Sequence, residues 1–170
     1  MESQLIILRG NSGSGKTTIA KRLQRHLGLG TLLVSQDVVR RDMLMVHDRE
    51  GNPSIDLTRQ IAEYGKGTCE FVIVEGIFNS SRYGDMLKEL IDFYDKKAYT
   101  YYFDLSFEET VRRHHTRDKK MDFGEDSMRA WWNPVDVLGV EGEVLLTDDM
   151  SEDEVLERVL ASLKVGLEKI

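Results

Sequence analysis

Eight consecutive residues near the amino terminus have the types and spacing to hold a triphosphate. Gly10-Asn11-Ser12-Gly13-Ser14-Gly15-Lys16-Thr17 satisfies G-x-x-x-x-G-K-[ST] at every fixed position. Glycines in such a run let successive backbone N–H groups turn inward as an anion nest, and a helix starting near Lys16 adds the positive end of its dipole. Lys16 supplies a point charge for the β- and γ-phosphates. Thr17 offers a hydroxyl oxygen to Mg²⁺, which takes few protein oxygens and keeps other positions for phosphate and water. Asn11, Ser12, Gly13, Ser14, Gly15, Lys16, Thr17 and Thr18 are therefore the candidate site for ATP and Mg²⁺.

Phosphoryl transfer to an alcohol also needs a group that orients the hydroxyl and accepts its proton. In an open parallel sheet, ligands bind beyond the carboxyl ends of the strands, and Asp37 stands just after the second strand-like run. It is the leading candidate base, and capping of the following helix is a compatible second role. Arg40 and Arg41 follow one turn later; a guanidinium there could hold an anionic group on the acceptor or simply be solvated. Asp42 reads as surface. Glu75 closes the apolar run Phe71 to Val74, a rim position that favours a role at the site. Arg113 and Arg117 are four apart, so on one helix they share a face and could neutralise charge on the transferring phosphoryl oxygens; a basic helix terminus matched to its dipole is the plainer reading.

Alternating short β-rich runs and helical patterns must position these groups, the signature of βαβ units around a parallel sheet. Leu5 to Leu8 enters the glycine loop, and Ile19, Ala20, Leu23 and Leu27 share one face of a helix from Lys16. Strands are expected at Thr31 to Ser35, at Phe71 to Val74 in the centre, at Ala98 to Asp104 and at Val144 to Leu146. Helices are expected at about 55–66 and 82–97, from Ser106 to Arg117 behind a Ser106/Glu109 capping box, and after Ser151/Glu154. The polar stretch 118–142 reads as a mobile covering segment with a short helix near Glu125 to Trp132.

The chain has 170 residues, enough for one domain spanning 1–170 with a substantial core, and 41% hydrophobic with 31% charged residues makes disorder an unsuitable reading. A net charge of -7 provides no overall field for long nucleic acids, so any such contact must be local. Cys69 has no internal partner for a disulfide, and the four histidines lack metal-site spacing. With neither a leader-like start nor a membrane-length apolar run, the expected location is the cytoplasm. Trp131 and Trp132 could stack on a base, although packing of the covering segment is their expected use. Met43 and Met45 read as apolar filler.

With the phosphate loop and Ser35-Gln36-Asp37-Val38-Val39-Arg40-Arg41-Asp42 in view, the chain resembles the small P-loop kinases that include polynucleotide 5′-kinases, chloramphenicol phosphotransferase and zeta-type toxin kinases. The resemblance covers nearly the whole length. It implies an α/β P-loop NTPase fold, with a five-stranded parallel sheet in order 2-3-1-4-5 flanked by helices and a lid at about 117–140. It also implies that Asp37 acts as base, that Arg40 binds the substrate, and that Arg113 and Arg117 bind nucleotide at the lid. Val72-Ile73-Val74-Glu75-Gly76 is similar to the third strand of uridine kinases, which leaves Glu75 to contact either metal or a substrate hydroxyl. Thr147-Asp148-Asp149 lies where related kinases contact adenine through their backbone. The activity implied is transfer of the γ-phosphate of ATP to a hydroxyl of a nucleoside, antibiotic or similar small molecule. A polynucleotide 5′-hydroxyl is the second acceptor, and a regulatory NTPase without acceptor is the rival from another class.

Overall fold

The computed structural model describes residues 1–116 and 123–163. Strand β1 (Gln4–Gly10) runs into the glycine loop and helix α1 (Lys16–Leu27). Then come β2 (Leu32–Ser35), a π-helical turn (Val38–Met43), α2 (Pro53–Gly65), β3 (Phe71–Gly76), α3 (Ser80–Phe93) and β4 (Ala98–Asp104). The chain continues through α4 (Phe107–His115), α5 (Glu125–Trp131), β5 (Val144–Thr147) and α6 (Glu152–Ser162).

The five strands are all parallel and lie in the order β2-β3-β1-β4-β5. This is the expected order, and its cause is visible in β1. Leu5 and Ile7 enter one apolar cluster with Val72 and Val74 of β3 and residues of α2 and α3, whereas Ile6 and Leu8 enter a second cluster with α1 and α6. Alternate side chains feed opposite faces, so β1 must be covered on both sides. All four have no solvent exposure, and each such burial contributes about 1.5–3 kcal/mol.

Capping sets the helix starts. Asn52 and Asn79 accept from the backbone N–H groups of Ser54 and Ser81, and Ser106 and Ser151 accept from those of Glu109 and Glu154. Two expectations are corrected. Helix α4 ends at His115, with Thr116 as its cap, short of the expected Arg117. The covering segment expected up to 142 is anchored in its later part: Leu138 is buried in the core beside α3, and the Asp136 side chain accepts from the Ser80 N–H at 2.8 Å. Tertiary partners unrecognisable from local composition hold that stretch in place.

Candidate active site

The loop after β1 is shaped by backbone. Gly13 has φ +80°, and a Cβ there would stand 2.6 Å from the Thr110 carbonyl oxygen of α4, so glycine alone fits. Lys16 Nζ donates to the Asn11 carbonyl at 2.9 Å and lies 3.4 Å from Ser14 Oγ, which keeps its buried ammonium over the loop. Arg113 donates from Nη1 to the Ser14 carbonyl at 2.8 Å and from Nε to Glu109 at 2.9 Å. Arg112 and then Arg113 hold the Glu109 carboxyl down to about 2. The Asn11 amide is committed elsewhere: it donates to the Asn133 carbonyl and accepts from the Asn133 N–H, both at 2.8 Å. Ser12 and Gly13 line the cleft on one side of the loop, while Gly15 and Thr18 line a cavity on the other.

At the rim, the Thr17 hydroxyl donates to Glu75 Oε1 at 3.1 Å. Register explains the meeting, because Glu75 pairs with Leu8 on one side and Ser35 on the other, at the carboxyl edge of three strands. Glu75 is 3% exposed, and burying a carboxylate demands polar partners. Among the described residues no group of three or more His, Cys, Asp or Glu could cage a metal. Two adjoining hard oxygens beside a phosphate loop instead fit Mg²⁺, which keeps most of its positions for water and phosphate. The Gly13 cradle likewise fits a phosphate chain.

Asp37 opens onto the same cleft of about 660 Å³ as Lys16, Thr17 and Glu75. Its backbone is helical and its side chain makes no capping hydrogen bond, which corrects the capping reading and leaves the carboxylate available to the cleft. Half of that side chain is exposed, and Arg40 and Arg41 stand 3.9 and 3.7 Å away. The wide π turn, a form that often marks functional sites, presents all three to the cleft. Asp42 is exposed and does not line the cleft. Arg117 lies outside the described residues.

The second cavity, about 560 Å³, is bounded by Thr18, Arg113, Asp148 and Asp149 among others. The Asp148 carboxylate accepts from the Ser106 N–H at 2.9 Å, tying the loop after β5 to the start of α4. Trp132 meets Phe107 edge-on and Trp131 meets Phe123 edge-on, so the tryptophans do pack the covering segment. Both also line the first cleft.

Several residues escaped sequence reasoning. Arg9, fully buried in β1, donates from Nε and Nη2 to the Phe78 carbonyl, from Nη1 to the Asp136 carbonyl at 2.8 Å, and from Nη2 to Asp136 Oδ2 at 3.1 Å. Burial lowers its pKa, and Asp136 and Glu143 oppose that shift. Phe78 and Val135, at or beside these acceptors, have φ of 42° and 43°, a costly conformation for side chains of that size. Arg9 thus fastens two walls of the cleft, the loop before α3 and the segment after α5. A lone arginine continuing the apolar run Leu5 to Leu8 was the available signal. Gln36, accepting from the Phe78 N–H at 2.9 Å, and the cleft residues Asp48 and Arg82 gave none beyond their rim positions.

A glycine-rich phosphate loop between the first strand and first helix of a parallel sheet ordered 2-3-1-4-5 defines a P-loop NTPase fold. The chain belongs to the AAA domain family, whose model matches residues 5–131. No curated protein matches it. Among solved structures it is similar to a gluconokinase from Sinorhizobium meliloti 1021, with TM-score 0.66, 16% identity, and coverage of 94% of this chain and 91% of that one. The Mycobacterium tuberculosis APS kinase in complex with AMPPNP and APS has TM-score 0.67, 16% identity and coverage of 94% and 96%. A shikimate kinase from Acinetobacter baumannii in complex with shikimate has TM-score 0.58, 16% identity and coverage of 93% and 91%. These neighbours are small-molecule P-loop kinases, and at such identities the likeness is one of fold. Among the described residues no helix is long and apolar enough to cross a membrane.

Proposed function

We propose that the chain is an ATP-dependent kinase that transfers the γ-phosphate to a hydroxyl of a small molecule. The carrying observation is that the phosphate loop and the uncapped carboxylate of Asp37 open onto one cleft. Asp37 orients the acceptor hydroxyl and takes its proton as the oxygen bonds to the γ-phosphorus, and the bond to the β–γ bridging oxygen breaks to release ADP. Lys16 turns its ammonium from the loop carbonyl to the β- and γ-phosphates. Arg113, braced by Glu109 and the Ser14 carbonyl, adds charge on the nucleoside side, and Arg117 is its proposed companion. Thr17 and Glu75 would hold Mg²⁺, directly and through water, and the bound ion would neutralise charge on the phosphates. Arg40 contacts the acceptor. Most of the rate gain comes from positioning and preorganised charge.

The polynucleotide 5′-hydroxyl remains the second acceptor because Arg40 and Arg41 supply a local cationic patch beside Asp37. Incubation with γ-labelled ATP and Mg²⁺ against panels of sugars, sugar acids, nucleosides, antibiotics and 5′-hydroxyl oligonucleotides separates the readings. Labelled small-molecule product that disappears in Asp37→Ala is the expected result. Label released only as inorganic phosphate, equally in both proteins, would point to a regulatory NTPase.

A further inference from the structure

We propose that the acceptor is a small anionic alcohol whose carboxylate or phosphate group is held by Arg40, Arg41 and Arg82. The inference rests on reading the 660 Å³ cleft as the acceptor site. Its basis is the state of three guanidiniums on the wall facing the phosphate loop. Each carries several N–H donors, yet among the described residues the three side chains make a single hydrogen bond, from Arg40 Nη1 to the Val46 carbonyl at 3.0 Å. Arg9 and Arg59, by contrast, each make four.

The neighbouring carboxylates stand too far away to satisfy them. Asp37 Oδ1 is 3.9 Å from Arg40 and 3.7 Å from Arg41, and Asp48 Oδ2 is 3.5 Å from Arg82, beyond good hydrogen-bond length. Asp48 is fixed there because its Oδ1 accepts from the buried Tyr83 hydroxyl at 2.7 Å. Arg40 Nε is buried without a partner among the described residues. With Glu75 facing Thr17, this wall holds three cations against two carboxylates, in a chain whose net charge is -7. An anionic group near the reacting hydroxyl balances that surplus and makes charge-assisted hydrogen bonds with donors that line the same cleft. Trp131 and Trp132 wall the same cleft, and the acidic remainder of the surface disfavours a long polyanion. The acceptor is therefore small.

The chain's two tryptophans both line the cleft, so their fluorescence reports on it directly. Sulfate is titrated into Lys16→Ala, which removes the competing phosphate-loop cation, and into the same background carrying Arg82→Gln or Arg40→Gln, with folding checked by circular dichroism. Glucitol and gluconate serve as a neutral and an acidic polyol. We expect saturable responses to sulfate and gluconate, none to glucitol, and weakening by about ten-fold or more in either arginine variant, as loss of one charge-assisted bond implies. No saturable sulfate response, or one indifferent to both variants, overturns the proposal. A 5′-hydroxyl oligonucleotide bound about a hundred-fold more tightly than sulfate, with a steep salt dependence, would overturn the small acceptor in favour of a polynucleotide. Separate titration of wild type with Mg·ATP tests the kinase reading itself: its failure beside an intact sulfate response would sink that reading and leave the anion site standing.

Discussion

The two sides of the cleft are built differently. On the phosphate-loop side the chain satisfies itself: Lys16 bonds the loop carbonyl, Asn11 exchanges two hydrogen bonds with Asn133, and Arg113 braces Ser14. On the opposite wall Arg40, Arg41 and Arg82 make one hydrogen bond among the described residues and otherwise only long ion pairs to Asp37 and Asp48. A triphosphate presents the same oxygens to every enzyme that uses it, and rigid backbone can be shaped for it in advance. An acceptor is idiosyncratic, and its recognition falls to side chains collected from separate segments. Nucleotide binding and acceptor binding should therefore be separable by mutation.

The largest expected effect is on transfer: Asp37→Asn should lower it by about 10²–10⁴-fold, the range for loss of a positioned base, in the labelled-ATP assay. An unchanged rate would show the carboxylate to be a bystander. Gly13→Ala places a Cβ against the Thr110 carbonyl at a φ that alanine resists, and it should weaken nucleotide binding by about ten-fold or more in calorimetric titration. Acceptor-side sulfate binding should survive that change. Arg9→Met leaves the Asp136 carboxylate without its counter-ion where two cleft walls meet, with only its hydrogen bonds from Ser80, and it should cost about 3–5 kcal/mol in urea denaturation. A loss under about 1 kcal/mol would show that the walls hold without it. The smallest effect concerns Glu109, whose carboxyl sits at about 2 in the fold against an ordinary 4.5. A depressed carboxyl stabilises fully above its unfolded value and loses that stabilisation as pH falls from about 4.5 towards 2. Because Arg112, the larger cause of that shift, is 66% exposed, solvent screens the pair, and Glu109→Gln should remove under about 1 kcal/mol of this pH dependence, measured as urea midpoints across that window.

The uneven legibility of the sequence has the same origin. The phosphate loop occupies eight adjacent residues whose geometry is local, and β1 announced its two-sided burial through an unbroken apolar run. Asp37 could be placed because strand ends in a parallel sheet define the rim. The Thr17–Glu75 contact joins residues 58 apart through strand register, so the sequence left Glu75 between two roles. Arg9 and Asp136 lie 127 residues apart, and Asp48 meets Arg82 only because the segment after the π turn folds against α3. No local pattern encodes such meetings. The anchoring of the later part of 118–142 was illegible for the same reason: Asp136 and Leu138 look like loop residues until β1 and α3 supply their partners.

The most direct test is calorimetric titration of Mg·ATP into wild type, Lys16→Ala and Asp37→Asn. A single site lost in Lys16→Ala and retained within about two-fold in Asp37→Asn is the expected result. Equal loss in both variants, or no binding to wild type, would contradict the division of the cleft into a nucleotide side and an acceptor side.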